Sequence, residues 1–356
     1  MPHPESNGPS STAKLTVYTP DCGYDDGGAI EREIIGDRVD FHADVWKDQA
    51  GLNTELLRRA DGLLVWHQVA LDAPTIGRLE KCRVIVRAGV GFNNIDIAAA
   101  GARGIPVCNT PDYGTAEVAD HALALLLALE RGLIPFERAM QADPVAGFDY
   151  RIYTDGRRLA GRTFAIVGLG RIGTAAALRA KAFGLRVVAF DPLVPRGQEI
   201  ALGVERVDTL EALLARADIL SLHLPLSAAT TNLIDAAALR KLKAGATILN
   251  TARGGLIDLE ALFAAMQSGH VRSAGIDVFP VEPPQPVPRI LRAHAAREPW
   301  LEGRLVVSPH AAWSSIESRR DARTKSTETI LAYLLQGELR NCVNADLLAP
   351  SRSSTK

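Results

Sequence analysis

Short apolar runs alternate with amphipathic or Ala-rich stretches along most of this chain. Runs at 14–18, 62–66, 83–87 and 105–108 are too short for helices and predict strands buried on both faces. The stretches 52–59 and 95–101 between them predict helices. Apolar strands alternating with helices imply a parallel sheet. The alternation resumes later, with strands predicted at 163–167, 185–190, 219–223, 246–250, 273–276 and 304–307. Helices are predicted at 171–183, 210–215, 236–242 and 259–268. Between the two series, 115–133 reads as one long helix. Its segment 122–129 is apolar on every face, which predicts burial all round, as a bridge between domains, a subunit interface or a core helix. A last helix, 315–335, carries the chain back out.

The strand predicted at 163–167 runs into Gly168-Leu169-Gly170-Arg171-Ile172-Gly173, and a helix follows. G-x-G-x-x-G alone is weak evidence, but between strand and helix it is the fingerprint of a dinucleotide-binding crossover. Gly168 allows the tight turn, Gly170 lets a pyrophosphate approach the backbone, and Gly173 lets helix and strand pack closely. The phosphates then meet the helix N-terminus. The next strand ends in Asp191, 18 residues past Gly173, near the spacing of an acid that hydrogen-bonds the adenosine ribose. Asp191 would repel a 2′-phosphate, so the expected cofactor is NAD, not NADP. The motif lies mid-chain, so a sizeable unit precedes the cofactor domain.

Composition narrows the class. The 356 residues are 47% hydrophobic and 23% charged, enough for two domains with full cores. A net charge of −1 and dispersed basic residues give no reason to expect direct nucleic-acid binding. No apolar run approaches the length of a membrane span, so no membrane partner is expected. The four cysteines, Cys22, Cys82, Cys108 and Cys342, lack C-x-x-C spacing. Neither a zinc site nor a disulfide framework is indicated, no metal is expected, and a reducing, cytoplasmic compartment fits. Residues 1–13 and 349–356 read as disordered tails, the first without the apolar core of a signal peptide.

Ligands of an open α/β sheet bind beyond the carboxyl ends of its strands. That rule selects Arg253, Asp277, Glu282 and His310, which follow three predicted strands and would converge on one rim. The imidazole of His310 titrates near neutrality and suits a base that removes a hydroxyl proton during hydride transfer. Glu282 beside it would favour the imidazolium and make it a competent acid for the reverse reaction. Arg253 offers a planar, permanently charged fork for a carboxylate. Asp277 could accept from a nicotinamide carboxamide, and His223, ending a strand, could touch NAD. The other histidines read as tail, surface or satisfied core residues. In the first unit, Gly89 and Gly91 flank Val90 at a strand end. They form either a plain turn or an anion nest, with Arg87 as a second cation.

On these blocks the chain resembles the D-isomer-specific 2-hydroxyacid dehydrogenases. The resemblance rests on Gly168 to Gly173 with Asp191, Asn250-Thr251-Ala252-Arg253-Gly254-Gly255, Asp277 with Glu282-Pro283-Pro284, and Ser308-Pro309-His310. It is closest to the C-terminal-binding protein branch, through Phe92-Asn93-Asn94-Ile95-Asp96, His310-Ala311-Ala312-Trp313 and Leu339-Arg340-Asn341-Cys342-Val343-Asn344. It implies an α/β architecture of two Rossmann-like domains. A doubly wound parallel-sheet NAD domain (113–312) is inserted into a flavodoxin-like substrate domain (14–112, completed by 313–346).

It further implies a homodimer built largely through the NAD domain, and Arg253, Glu282 and His310 as the catalytic set. The implied NAD contacts are Val90, Val167, Gly168, Leu169, Gly170, Arg171, Ile172, Gly173, Asp191, Leu224, Pro225, Thr230, Thr251, Ala252, Arg253, Asp277, His310 and Trp313. The implied substrate contacts are Arg87, Gly89, Val90, Gly91, Arg253 and Trp313, the last as a flat apolar wall. The Gly89–Gly91 loop would then face the cofactor across a cleft. The implied activity is NAD-dependent 2-hydroxyacid oxidation or 2-oxoacid reduction. The alternative is an NADH-sensing binding protein with little required turnover. The segment between Glu282 and His310 looks longer than in that branch.

Overall fold

The computed structural model describes residues 14–46 and 48–348; the predictions for tails 1–13 and 349–356 lie outside them. The chain forms two compact units, one containing Gly114–Ser315 and the other the chain before and after it.

The first unit opens with β1 (Thr16–Thr19), α1 (Ala29–Ile35), β2 (Asp40–Ala43), α2 (Thr54–Arg59) and β3 (Gly62–Val65). It continues through α3 (Ala73–Gly77), β4 (Val84–Arg87), α4 (Ile97–Ala102) and β5 (Val107–Cys108). Its strands pair in parallel in the order β2-β1-β3-β4-β5, the flavodoxin-like order. Strands β1, β3 and β4 are buried at every position, which is why they read as continuous apolar runs.

The second unit contains α5 (Thr115–Arg131), α6 (Leu133–Ala142), β6 (Thr163–Val167), α7 (Arg171–Ala182), β7 (Arg186–Phe190), α8 (Gln198–Leu202) and β8 (Glu205–Arg206). Then follow α9 (Leu210–Leu214), β9 (Ile219–Leu222), α10 (Ala236–Lys241), β10 (Ala246–Asn250), α11 (Leu259–Gln267), β11 (Val271–Ile276), α12 (Arg289–Ala295) and β12 (Leu305–Val307). Its parallel sheet runs β12-β11-β10-β9-β6-β7-β8, doubly wound with the reversal between β6 and β9. One apolar cluster, including Leu220, Ile248, Leu262 and Met266, packs with α9 to α11. A second, including Leu126, Phe164 and Ile166, packs with α5 and α7. Each fully buried aliphatic side chain contributes about 1.5–3 kcal/mol. Finally α13 (Ile316–Gln336) completes the first unit, packing on α1, β3 and β4. It buries Arg323, paired with Glu31 and Asp26.

Several helices begin where a side chain accepts an early N–H of the helix. Asn53, Asp72, Asp96, Thr209, Asp235 and Asp258 all do so, satisfying donors the first turn leaves open.

The structure departs from the sequence reading in three places. The long helix of 115–133 ends at Gly132, whose φ of 62° turns the chain into α6. Its core segment is not buried all round, because Ala124 is exposed and Leu127 and Ala128 are half-buried. Its inner face lies close to the sheet where β11 carries a glycine: a Cβ on Gly275 would sit 2.9 Å from Leu125 Cβ. The short elements α1, β2, α3, α8 and β8 leave no pattern in the sequence, since each buries too few side chains for periodicity to appear. Of β2 only Phe41 is buried; pairing with β1 makes it a strand. The long segment before His310 is folded. Its α12 buries Ile290 and Ala293, and Trp300 packs edge-on to Phe263 at 5.4 Å. Among the described residues no helix is long and apolar enough to cross a membrane, and no side-chain group has the make-up of a metal site.

Candidate active site

The second unit brings its chemistry to the carboxyl ends of β6, β7, β9, β10, β11 and β12. At the topological switch, Gly168 follows β6 with φ 93°, and a Cβ there would lie 2.4 Å from the His223 carbonyl oxygen beyond β9. A Cβ on Gly173 would lie 2.0 Å from the Gly168 carbonyl oxygen, whereas one on Gly170 would meet nothing within 4 Å. Two glycines are thus required by packing, and the third leaves open space. Gly170 caps α7 without a side-chain hydrogen bond, and the first turn of α7 holds no acid. Its first N–H groups thus lack a side-chain acceptor, the setting an anion exploits.

Asp191, after β7, ties this turn down. Its Oδ2 accepts the Leu169 N–H at 2.8 Å, and its Oδ1 accepts the N–H groups of Leu193 and Val194. Gln198, a residue with no signal in the sequence, donates to the Leu169 carbonyl at 2.9 Å.

Two buried polar atoms on the same strand ends are orphaned: His223 Nδ1 and Thr251 Oγ1. His223 Nε2 lies 2.8 Å from Ser221 Oγ, and burial alone lowers the imidazole pKa to about 4. Buried orphans of this kind are rare and call for a partner. Together with the room over Gly170 and the uncapped helix, they fit a dinucleotide. Next to them, Thr230 accepts the Ser227 N–H and donates to the Pro225 carbonyl, both at 2.8 Å. This fixes the turn after Leu224 and Pro225. Val167, Leu169 and Ala252 pack in the cores, while Arg171 is exposed and Ile172 half-buried.

Arg253 sits in a turn shaped by Asn250, whose amide donates to the Arg253 carbonyl at 2.9 Å and accepts the Ala252 N–H at 3.0 Å. The neighbouring Gly254 permits a close approach, since a Cβ would fall 1.9 Å from the Phe279 carbonyl carbon. That contact brings the Arg253 turn against the loop carrying Glu282. Glu282 Oε1 accepts the Phe279 N–H at 2.9 Å, and Oε2 lies 2.6 Å from His310 Nδ1. Burial works to raise the Glu282 carboxyl pKa, but the His310 hydrogen bond and charge, the Phe279 N–H and the Arg253 guanidinium outweigh it. The carboxyl ends below its ordinary value.

His310 adopts φ 54°, a left-handed conformation that costs energy and clusters at functional sites. Asp277 holds it there. The His310 N–H donates to the Asp277 carbonyl at 2.7 Å. The fully buried Asp277 carboxylate accepts from Ser308 Oγ and the N–H groups of Ala311 and Ala312 at 2.5, 2.9 and 3.0 Å. This clamp was not legible in the sequence, which suggested only a nicotinamide contact for Asp277. His121 on α5 joins it through Ser308 Oγ at 2.8 Å. Trp313 is half-buried next to Gly114.

In the first unit, Arg87 is buried at the end of β4 and donates to the Ala88 carbonyl at 2.6 Å. Gly89 has φ 154°, a backbone conformation that L side chains rarely adopt, so glycine is favoured there, and a Cβ would meet Arg87 Nη1 at 1.6 Å. The Thr110 N–H donates to the Gly89 carbonyl at 3.0 Å, and Asn109 Nδ2 to the Val90 carbonyl at 2.7 Å. Val90 and Gly91 are half-buried. The switch point of this sheet is filled by Asp21. Its buried carboxylate accepts the N–H groups of Trp66, Gln68 and Val69 at 2.8–3.1 Å.

Residues 123–312 match the family model "D-isomer specific 2-hydroxyacid dehydrogenase, NAD binding domain". The chain is 39% identical over 316 residues to the D-3-phosphoglycerate dehydrogenase of Mycobacterium leprae, covering 88% of this chain and 56% of that protein. It thus spans little more than half the length of the curated relatives it matches. Among solved structures it resembles D-lactate dehydrogenase from Aquifex aeolicus complexed with NAD and lactic acid. That match has 25% identity and TM-score 0.77, covering 90% of this chain and 95% of that one. A glyoxylate reductase from Paecilomyes thermophila superposes with 27% identity and TM-score 0.80, covering 93% and 98%.

Proposed function

The chain belongs to the D-isomer-specific 2-hydroxyacid dehydrogenase family, and from that premise we propose that it interconverts a small 2-hydroxy acid and its 2-oxo acid with NAD(H). The observation that carries the reading is the 2.6 Å contact between His310 Nδ1 and Glu282 Oε2. When bound, the nicotinamide supplies or accepts the hydride. In oxidation, His310 takes the hydroxyl proton at Nε2, because Nδ1 is engaged by Glu282. In reduction it returns that proton to the carbonyl oxygen. Glu282 fixes the ring orientation and stabilises the imidazolium, as a carboxylate behind a catalytic histidine does.

Arg253 binds the substrate carboxylate. In the first unit, Arg87 and the N–H groups of the Gly89–Gly91 loop offer an anion-binding turn of their own. Trp313 forms an apolar wall for the C3 substituent. Asp191 favours NAD over NADP by repelling a 2′-phosphate.

The proposal extends to a homodimer, supported by the exposed Val145, Phe148 and Tyr150 (87%, 84% and 83%) after α6, an apolar set that favours a covered surface. A reducing cytoplasmic setting is supported by the four free thiols.

The test is NADH oxidation by the purified chain across a panel of 2-oxo acids. Turnover with at least one is expected. His310→Ala should lose it by about 10²-fold or more while still binding NADH. No turnover across the panel despite tight NADH binding would overturn the proposal.

A further inference from the structure

Cys108 and Cys342 are far apart in sequence but lie opposite each other in the first unit, in an isolated antiparallel bridge. The hydrogen bonds around them define the kind of pair. The Asn109 N–H donates to the Asn341 carbonyl at 3.1 Å, and the Val343 N–H to the Val107 carbonyl at 2.8 Å. These bonds flank the two cysteines and belong to neither, so the cysteines form a non-hydrogen-bonded pair. In such a pair the Cα atoms lie about 4.5 Å apart, with side chains on one face of the ladder. That falls within the roughly 4.4–6.8 Å separation a disulfide spans. The thiols are near enough for the charge of Cys342 to act on Cys108. Both are free. Asn344 Oδ1 accepts from Cys342 Sγ at 3.3 Å and from the Val107 N–H at 2.8 Å, holding the two segments in register.

We propose that Cys108 and Cys342 are a redox modification site, closing a reversible disulfide that clamps the end of β5 to the segment after α13. The oxidant is a small disulfide of the glutathione class. Cys108 is fully buried and Cys342 half-buried, so the oxidant meets Cys342 first. The Cys342 thiolate attacks one sulfur of the small disulfide, forming a mixed disulfide and releasing one small thiol. Cys108 then gives its proton to solvent and attacks the Cys342 sulfur, expelling the second small thiol. Two protein thiols are oxidised and one small disulfide is reduced. Burial pushes the Cys108 thiol up to about 12, so the second step is the slow one and quickens as pH rises. The clamp falls next to Asn109 and Thr110, which hold the carbonyls of Val90 and Gly89. Oxidation therefore acts on the strand beneath the Gly89–Gly91 loop. The other two cysteines have no such pairing: Cys22 Sγ and Cys82 Sγ donate to the carbonyls of Tyr24 and Val84.

The experiment incubates the full folded chain with oxidised glutathione and follows free thiols, intact mass and unreduced peptides. The expected result is loss of two of the four thiols, a mass lower by about 2 Da with no retained glutathione, a peptide linking Cys108 to Cys342, and reversal by dithiothreitol. The Cys22→Ser/Cys82→Ser double variant should close as the parent does, and Cys342→Ser should not. A glutathione adduct on Cys342 that never resolves, a link between other cysteines, or four thiols surviving unchanged would each overturn the proposal.

Discussion

Alanine at Gly170 and at Gly173 should separate cofactor binding from stability within one motif. Gly170 has φ −71° and ψ −160°, which any residue adopts, and its added Cβ meets nothing within 4 Å. Two opposing stability effects follow. Alanine is a poorer helix cap than glycine, but it reduces the conformational freedom of the unfolded chain by about 0.4–1 kcal/mol. The net change should lie within about 1 kcal/mol, or roughly 2–4 °C in Tm for a domain of this size. The new methyl instead occupies the space assigned to the pyrophosphate. Overpacking of that kind costs about 1–3 kcal/mol, so NADH should bind roughly 5–150-fold more weakly.

At Gly173 the added Cβ stands 2.0 Å from the Gly168 carbonyl oxygen, a backbone atom that cannot swing aside. Helix α7 must then lift from the turn by more than an ångström, so this variant should lose several degrees in Tm with or without cofactor. NADH fluorescence titration and thermal unfolding by circular dichroism read the two quantities. The reasoning fails if Gly170→Ala binds NADH like the parent, or if it melts below Gly173→Ala.

Other predictions concern single side chains. The folded state keeps His223 neutral down to about pH 4, whereas the unfolded chain protonates it near 6.5. Between those values the unfolded state binds more protons, so stability should fall as pH drops from about 6.5 to 4. The loss has an upper limit of about 3 kcal/mol, and urea midpoints at pH 7 and 5 should converge in His223→Leu. The lowered Glu282 carboxyl works in the carboxylate range: its contribution is complete above about pH 4.3 and is lost as pH falls through the lower folded value. Glu282→Gln should therefore flatten the stability profile between about pH 4.3 and the lower folded value; an unchanged slope there would contradict this. Asp277→Asn leaves one acceptor oxygen where Ser308, Ala311 and Ala312 now donate to two. We expect a loss of about 1–3 kcal/mol and a lower kcat from a loosened His310, checked by thermal unfolding and initial rates.

The sequence by itself determined the strands buried on both faces and the chemistry at their carboxyl ends. Strands β6, β7, β9 and β10 appear almost at their predicted bounds, because a strand enclosed by helices is mostly apolar. Gly168, Gly170 and Gly173 were legible because backbone contacts exclude any other residue at the first and third. Glu282 and His310 were selected by their place after strands, and the structure brings them to 2.6 Å.

What only the tertiary structure decided has no local pattern behind it. The Asp277 clamp uses backbone N–H groups, which every residue carries. Asp21 fills the first sheet's switch point in the same way. Helix α12 is hidden among prolines and charges until it packs on α11. The pairing of Cys108 with Cys342 depends on the return of the chain after α13. Each rests on contacts between segments distant in sequence, which hydrophobic periodicity along the chain cannot encode.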